Sequence, residues 1–378
     1  MTPPAPAGPL AGLRIVEIAG IGPGPMAAML LADLGASVLR IDRREKADLG
    51  IPRPARFNLA HRNRDAIELD LKSEDDKNIA LALIGRADVL IEGFRPGTME
   101  RLGLGPADCL AQNPRLVYGR ITGWGQTGPR AMTAGHDVNY ISITGALDAI
   151  GPADAPPSIP LNLLGDYAGG SLYLIMGVLA AVIEARVSGK GQVVDAAICD
   201  GVASLMTNFY GLHAAGSHRL ERGSNILDGA APYYGVYLCA DGRYMAAGPI
   251  ERRFETIMLD ILGIDPDEMP PREDRSQWPR GKAVIAAAFL KRERAAWEAA
   301  FAGTDACVSP VLDLAEAPND PHLAERQSYC LIDGIIQPAP APRFSRTPPR
   351  TPYGPGSSEA AHILAEWLDE NATAKRGT

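Results

Sequence analysis

The sequence predicts an α/β protein: a large domain built on a mostly parallel sheet, joined to a smaller α+β domain. Three observations carry that expectation. Through the first half of the chain, short apolar β-branched runs alternate with segments of helical spacing, the pattern of a parallel sheet covered on both faces. After about residue 225 the texture changes to two alternating strands that meet at Asp241-Gly242, a hairpin signal. The 378 residues are 46% hydrophobic and 22% charged, which suits a buried core and argues against disorder in the bulk.

The first run, residues 13–19 (LRIVEIA), reads as a buried strand, and residues 20–25 (GIGPGP) as a tight turn. Residues 26–34 are apolar at helical spacing and close at Gly35, and residues 37–41 (SVLRI) form the next strand, ended by Asp42. Residues 73–85 read as a helix with Ser73 as N-cap and acids in the first turn. Strands follow at 87–92 (ADVLIE) and 116–121 (LVYGRI), which makes the large domain Rossmann-like. A long apolar helix runs from Leu163 to near Gly189, then a short strand at 192–195 and helix over 201–215. The smaller domain has strands at 233–238 and 244–247 and helices at 253–262 and 282–302. Residues 337–355 are rich in proline and read as an extended arm, followed by a last helix over about 358–371. The domain boundaries expected are 1–198 for the large domain, 199–224 for a linker helix, 225–311 for the small domain, and 312–378 for a return segment that completes the large one.

Composition excludes several classes. A net charge of −8 gives no global support for a nucleic-acid partner, though a local basic patch can still hold a small polyanion. Cys109, Cys199, Cys239, Cys307 and Cys330 are scattered, odd in number and without a CxxC pair, the pattern of free thiols in a reducing, cytoplasmic setting. Residues 1–9 carry neither a basic region nor a long apolar stretch, so no targeting peptide is expected. The uncharged stretch 167–183 is short for a membrane span and contains three glycines, so a buried core helix is the expectation.

Five features could carry chemistry. The Gly20 to Pro25 turn suggests a nicotinamide site, but Pro25 stands where the third glycine belongs, and its two prolines lack the N–H donors that would face a pyrophosphate. Residues 51–64 contain Arg53, Arg56, Arg62 and Arg64 with one acid-free stretch between them; Arg43 and Arg44 precede it, and Arg95 and Arg101 follow. Guanidinium forks match phosphate oxygens, so this suits a phosphate-bearing ligand as well as it suits a solvated loop. His136 sits between a Gly/Pro-rich loop and a helix start, with no second histidine or cysteine at zinc-ligand spacing. Asp166 stands at the mouth of the apolar helix, where it is either a cap or a carboxylate raised in pKa by apolar surroundings. Glu251 follows a strand and a Gly-Pro turn in the small domain. No nucleophile elbow and no phosphate-binding P-loop is present.

Taken in order, these segments resemble one family. Residues 13–43, 87–105, 122–130 (TGWGQTGPR), 135–140 (GHDVNY), 160–170 (PLNLLGDYAGG), 189–200, 228–234, 242–251, 303–312 and 341–347 are similar to the family III CoA-transferase (CaiB/BaiF-like) superfamily, over nearly the whole chain. Having His136 and Glu251 together with Asp166 resembles the racemase branch of that superfamily more than its transferases, which share the aspartate but generally lack the other pair. The resemblance implies an interlocked homodimer, each active site drawing on the large domain of one subunit and the small domain of the other. It implies Asp166 and His136 as the two bases, with Glu251 partnering the histidine. It implies coenzyme A contacts from Arg43, from Leu69, Asp70, Leu71 and Lys72, from Gly93, Phe94 and Arg95, from Arg101, and from Gly135, Asp137 and Tyr140. The loop 44–61 is several residues longer than the family pattern.

The reaction expected is interconversion of (2R)- and (2S)-2-methylacyl-CoA thioesters in fatty-acid metabolism, the acyl group being open between branched fatty acyl, sterol or bile-acid side chain, and arylpropionyl. One base removes the α-proton to give an enolate and the other returns a proton to the opposite face. Asn162 is expected to hydrogen-bond Asp166 or the thioester, and amides near Gly169 and Gly170 to serve as enolate donors. Coenzyme A is part of the substrate; no metal or redox cofactor and no membrane is expected. The alternative is a family III CoA-transferase in which Asp166 carries the acyl group as a nucleophile.

Overall fold

The computed structural model describes residues 8–45, 50–355 and 360–369. The opening seven residues, residues 46–49 of the arginine-bearing loop, and the outer ends of the expected last helix lie outside the described residues. In chain order the elements are β1 (Arg14–Ile18), α1 (Pro23–Asp33), β2 (Ser37–Asp42), β3 (Asp65–Glu68), α2 (Glu74–Ile84), β4 (Val89–Glu92), α3 (Thr98–Arg101), α4 (Pro106–Gln112), β5 (Val117–Thr122) and α5 (Asp137–Ser142). A π-helix (Leu163–Ser171) leads into α6 (Leu172–Ser188), then β6 (Val193–Ala197), α7 (Ile198–Leu205), α8 (Thr207–Ala214), β7 (Gly235–Leu238), β8 (Tyr244–Ala247), α9 (Arg252–Leu262), α10 (Trp278–Phe289), α11 (Arg294–Phe301) and β9 (Val308–Pro310). Last come α12 (Pro321–Glu325), β10 (Tyr329–Ile332), β11 (Ile335–Pro338) and α13 (Ala360–Leu368).

The chain divides into two units. The first takes residues up to Thr144, Leu161–Leu205 and everything from Pro321; the second takes Gly145–Pro160 and Met206–Asp320. The sequence reading put residues 145–160 in the large domain. They belong to the second unit because Arg222 grips them, donating to the carbonyls of Asp148, Pro152 and Ala155.

The first unit is a six-stranded sheet in the order β3-β2-β1-β4-β5-β6, every pair parallel. One face carries Val16, Leu39, Ile41, Ile67, Leu90 and Tyr118, closed by Leu83 of α2, Cys109 of α4 and Trp367 of α13. Each such fully buried side chain contributes about 1.5–3 kcal/mol. On the other face α6 lies close over Gly119, where a Cβ would come within 3.0 Å of Val178 and 3.1 Å of Leu174. Strand β3 was not foreseen, since DAIE is short and half acidic; it forms because β2 offers it a parallel edge. This order reverses between β1 and β4, so the loops leaving their carboxyl ends part there and open a crevice.

The helix expected from Leu163 to Gly189 is present, ended by Gly189 at φ 75°. Its first nine residues are wound as a π-helix, a form that occurs mainly at functional sites. The run is long and apolar enough to cross a membrane by length and composition. It is a core helix on one face only: Leu174, Val178, Ala181 and Ala185 are buried, whereas Leu172, Met176, Ile183 and Val187 are exposed.

The second unit holds a three-stranded antiparallel sheet, β7-β8-β9. The expected hairpin is there, with Gly242 at φ 77° in its turn; β9 is an addition. The single helix expected over 282–302 is two, α10 and α11, because Trp297 Nε1 donates to the Phe289 carbonyl at 2.8 Å and folds α11 back on the end of α10. Tyr237 stacks on Phe289 at 5.2 Å in the core between them. All five cysteines are free thiols.

Candidate active site

At the carboxyl ends of β4 and β5 lies a cleft of about 200 Å³, lined by Gly93 to Pro96, Thr122 to Trp124, and the segment that ends in Gly135 and His136, with Tyr140 beneath. Its walls are held by charges at the strand ends. Glu92, the last residue of β4, accepts the Phe94 amide at 2.7 Å and is itself fixed by Arg120 at 2.8 Å. Arg120 continues to Glu100 at 2.8 Å. Burial keeps the Glu92 carboxyl above the usual range even though the Phe94 amide and Arg120 oppose it. The Gly93–Phe94–Arg95 loop is thereby set, and the Arg43 guanidinium lies over the Phe94 ring at 5.4 Å. Tyr140 fills the floor: its hydroxyl donates to the Gly135 carbonyl, and its ring meets Trp124 edge-on at 4.8 Å. Gly123 and Gly135 are glycines because a Cβ would lie 1.9 Å and 2.7 Å from that ring. Burial pushes the Tyr140 hydroxyl up to about 12.

His136 is the N-cap of α5, and its own N–H is taken by Asn139 Oδ1 at 3.0 Å. His136 is exposed and lines the cleft, and its side chain forms a capping box with Asn139. The next residue, Asp137, is buried at 6% exposure and turns its carboxylate onto the π-helix, where it accepts the Asp166 N–H at 2.6 Å. Asp166 projects from the first turn of that helix. Its carboxylate receives Asn162 Nδ2 at 3.2 Å, as the sequence reading expected, and it faces Gly22, whose absent Cβ would stand 3.1 Å from Oδ2. The Gly20 to Pro25 turn is therefore not a pyrophosphate cradle but the space beside this carboxylate. Burial raises the Asp166 carboxyl above its ordinary range; the Asn162 bond opposes that rise, Asp137 adds to it, and His136 opposes it.

Of the other residues singled out, Arg43, Arg95 and Arg101 are exposed near the loops after β2 and β4, as are Asp70 and Lys72 after β3. Asp70 Oδ1 shapes that turn by accepting the Lys72 N–H at 3.0 Å. Leu71 is half-buried, and the Leu69 side chain belongs to the core, so only its main chain is open to a ligand. Glu251 lies in the second unit as the exposed N-cap of α9. Gly169 and Gly170 are buried inside the π-helix, against Val202 and Ile198. His61 is disqualified as a base: burial, then the fields of Arg40, Arg64 and Arg53, lower it to about 3. Among the described residues no three His, Cys, Asp or Glu side chains gather as a metal cage. Sequence reasoning missed Glu92 and Gly22. The first had a signal in the acid that ends a buried strand before glycine; the second needed the fold.

A parallel α/β sheet with a cleft that carries an exposed histidine, a half-buried carboxylate on the adjoining π-helix and arginines on the nearby loops defines an enzyme for general acid–base chemistry on an anionic ligand. The chain belongs to CoA-transferase family III, whose family model matches residues 10–357. It is 42% identical to the alpha-methylacyl-CoA racemase of Mus musculus over 90% of this chain and 87% of that one, and 40% identical to the alpha-methylacyl-CoA racemase of Homo sapiens over the same shares. Among solved structures, a CAIB/BAIF family protein from Brucella suis superposes with a TM-score of 0.81 at 25% identity, covering 96% of this chain and all of that one.

Proposed function

We propose that this enzyme is an α-methylacyl-CoA racemase, which interconverts the (2R) and (2S) epimers of 2-methylacyl-CoA thioesters. The observation that carries the reading is the joining of two unlike bases through one short segment: His136 open on the cleft, and Asp166 tied to it by the neighbouring Asp137. The likeness to the mouse and human racemases supports the same reaction. Neutral His136 removes the α-proton of one epimer and leaves an enolate. Asp166 in its protonated form, which burial favours by raising the carboxyl above its ordinary range, delivers its proton to the opposite face. The enzyme then holds an imidazolium and a carboxylate, the pair that runs the reverse reaction. Arg43, Arg95, Arg101 and Lys72 are the cations offered to the phosphates of coenzyme A, with the pantetheine arm passing the Gly93 to Arg95 loop.

The assembly in this proposal is an interlocked homodimer in which Glu251 of the partner subunit orients the His136 imidazolium. Two features support a second copy: Glu251 heads its helix with an exposed side chain, and α6 presents Leu172, Met176, Ile183 and Val187 at helical spacing with exposures of 53% to 87%.

The test is deuterium wash-in at the α-carbon of a (2R)-2-methylacyl-CoA in D₂O without any acceptor acid, with chiral analysis. The wild type is expected to incorporate deuterium and yield both epimers, and His136→Ala and Asp166→Ala to lose at least about a thousandfold of that rate, in line with removal of a positioned acid or base. Retention of full exchange by both variants would refute the assignment. Absence of exchange, with transfer of coenzyme A once an acid is added, would move Asp166 to the role of nucleophile.

A further inference from the structure

We infer that Asp137 is a positioning residue for catalysis: its carboxylate fastens the main chain of the π-helix at Asp166 and so fixes the two bases relative to each other. This rests on the racemase reading of the site. The sequence offered Asp137 only as a contact to coenzyme A, and an acid in the first turn of a helix ordinarily serves its own helix. Here the carboxylate is turned onto a segment 29 residues away, accepting the Asp166 N–H at 2.6 Å and drawing the Gly165 amide as well.

The reason lies in the start of the π-helix. Its first-turn N–H groups have no partner within the helix and need one from outside. Asn162 occupies the cap position but makes no cap bond; its side-chain amide is spent on the Asp166 carboxylate instead. Asp137 supplies the acceptor that the cap does not. Gly165 makes the approach possible, since a Cβ there would lie 2.4 Å from Asp137 Oδ2 and 2.9 Å from Ile141. The arrangement is costly. Asp137 Oδ1 is buried with no hydrogen-bond partner among the described residues, so part of the carboxylate's desolvation is left uncompensated. What this site gains is rigidity between residue 136, which carries one base, and residue 166, which carries the other. The charged or titratable groups facing Asp166 are Asp137, His136 and Tyr140, so the Asp137 charge also opposes ionisation of Asp166.

The experiment uses the full chain with Asp137→Asn, which keeps size and one acceptor oxygen, and Asp137→Ala, which keeps neither. Coenzyme A titration counts competent sites, so a fraction that fails to fold is corrected for, and the Asn variant carries the test if the Ala variant does not fold. Wash-in from 2-methylacyl-CoA is measured as kcat and KM across pH. The expectation is a fall in kcat of at least about tenfold for Asn and a hundredfold for Ala, on the scale set by displacing a catalytic group by about an ångström. KM should stay within about threefold, and the pH limb belonging to Asp166 should move to lower pH in the Asn variant, because a repelling charge is gone. Unchanged kcat and unmoved limbs in both variants would overturn the inference. So would a rise in KM with kcat intact, which would make Asp137 a substrate contact. If the wild type shows no wash-in, the racemase reading fails by itself. The two variants are then assayed for coenzyme A transfer, where a nucleophilic Asp166 needs the same fastening and the same loss of kcat is expected.

Discussion

Glu17 and Asp33 lie as deep in the first unit as Asp137, yet the two sets of carboxylates are treated in opposite ways. Glu17 is 1% exposed and pairs through one oxygen with Arg64, itself 1% exposed, while its Oε1 has no hydrogen-bond partner among the described residues; Asp33 meets Arg62 at 2.5 Å. Among the described residues no arginine pairs with Asp137 or Asp166. They are held by main-chain amides and by Asn162, and burial raises both above the ordinary carboxyl range. The difference teaches what each set is for. A carboxylate matched to a guanidinium is held in one arrangement by that pair, which serves a fold. A carboxylate held only by neutral donors can take and give a proton, which serves a reaction.

The sharpest way to break the comparison is to unpair the structural set. Arg64→Met leaves Glu17 buried without its cation, and the loss of stability is expected to be about 3–5 kcal/mol. Adding Glu17→Gln should restore much of it, because the uncompensated charge is then gone. Urea unfolding of the two variants measures this, and wash-in per competent site should stay near the wild-type value in both. A single variant as stable as the parent would mean that the buried pair contributes nothing that its removal exposes.

Asp166→Asn tests the other set and should do the reverse: activity falls and stability rises. The sign follows from linkage. A carboxyl whose pKa is raised on folding binds more protons in the folded state than in the unfolded one, between the unfolded value near 3.9 and the raised folded value. Stability therefore declines as pH climbs through that window and stays lower above it. Asparagine does not titrate, so the variant's melting temperature should exceed the parent's at neutral pH, and the gap should close as the pH is brought below about 4, where both chains are neutral at this position. Equal melting curves at every pH would show that Asp166 folds without cost, and the contrast with Glu17 would lose its basis.

Much of the large unit was legible in the sequence, and the reasons are physical. Runs such as RIVEI and VLIE are buried on every residue, so a parallel strand is nearly the only element that accommodates them. His136, Asp166 and Asn162 stood in quotable motifs. What periodicity could not give was anything set by contact between distant segments. Arg64 and Glu17 looked like a surface arginine and a lone acid in an apolar run, because their pairing depends on β3 joining β2, and β3 has no apolar pattern of its own. The π-helix was hidden because its glycines, Gly165, Gly169 and Gly170, read as flaws in an α-helix, when each instead lets a neighbour come close. Asp137 read as a ligand contact because its sequence position beside His136 says nothing of where its carboxylate turns.

The smallest expected effect concerns the space kept beside Asp166. Gly22 stands at φ 66° and ψ −119°, a region open mainly to glycine that costs an alanine about 1–3 kcal/mol, and its Cβ would press on the Asp166 carboxylate at 3.1 Å. Gly22→Ala is therefore expected to lower stability by about 1–3 kcal/mol through the backbone, whatever stands at residue 166. Its effect on kcat, a few-fold to about tenfold, should come from the displaced carboxylate. The two parts separate in a cycle with Asp166→Asn. The stability loss should be additive, while the loss in the residual exchange rate should vanish once no proton-carrying group is left to displace. If Gly22→Ala lowers the exchange of both parents equally, the turn acts on substrate binding and not on Asp166.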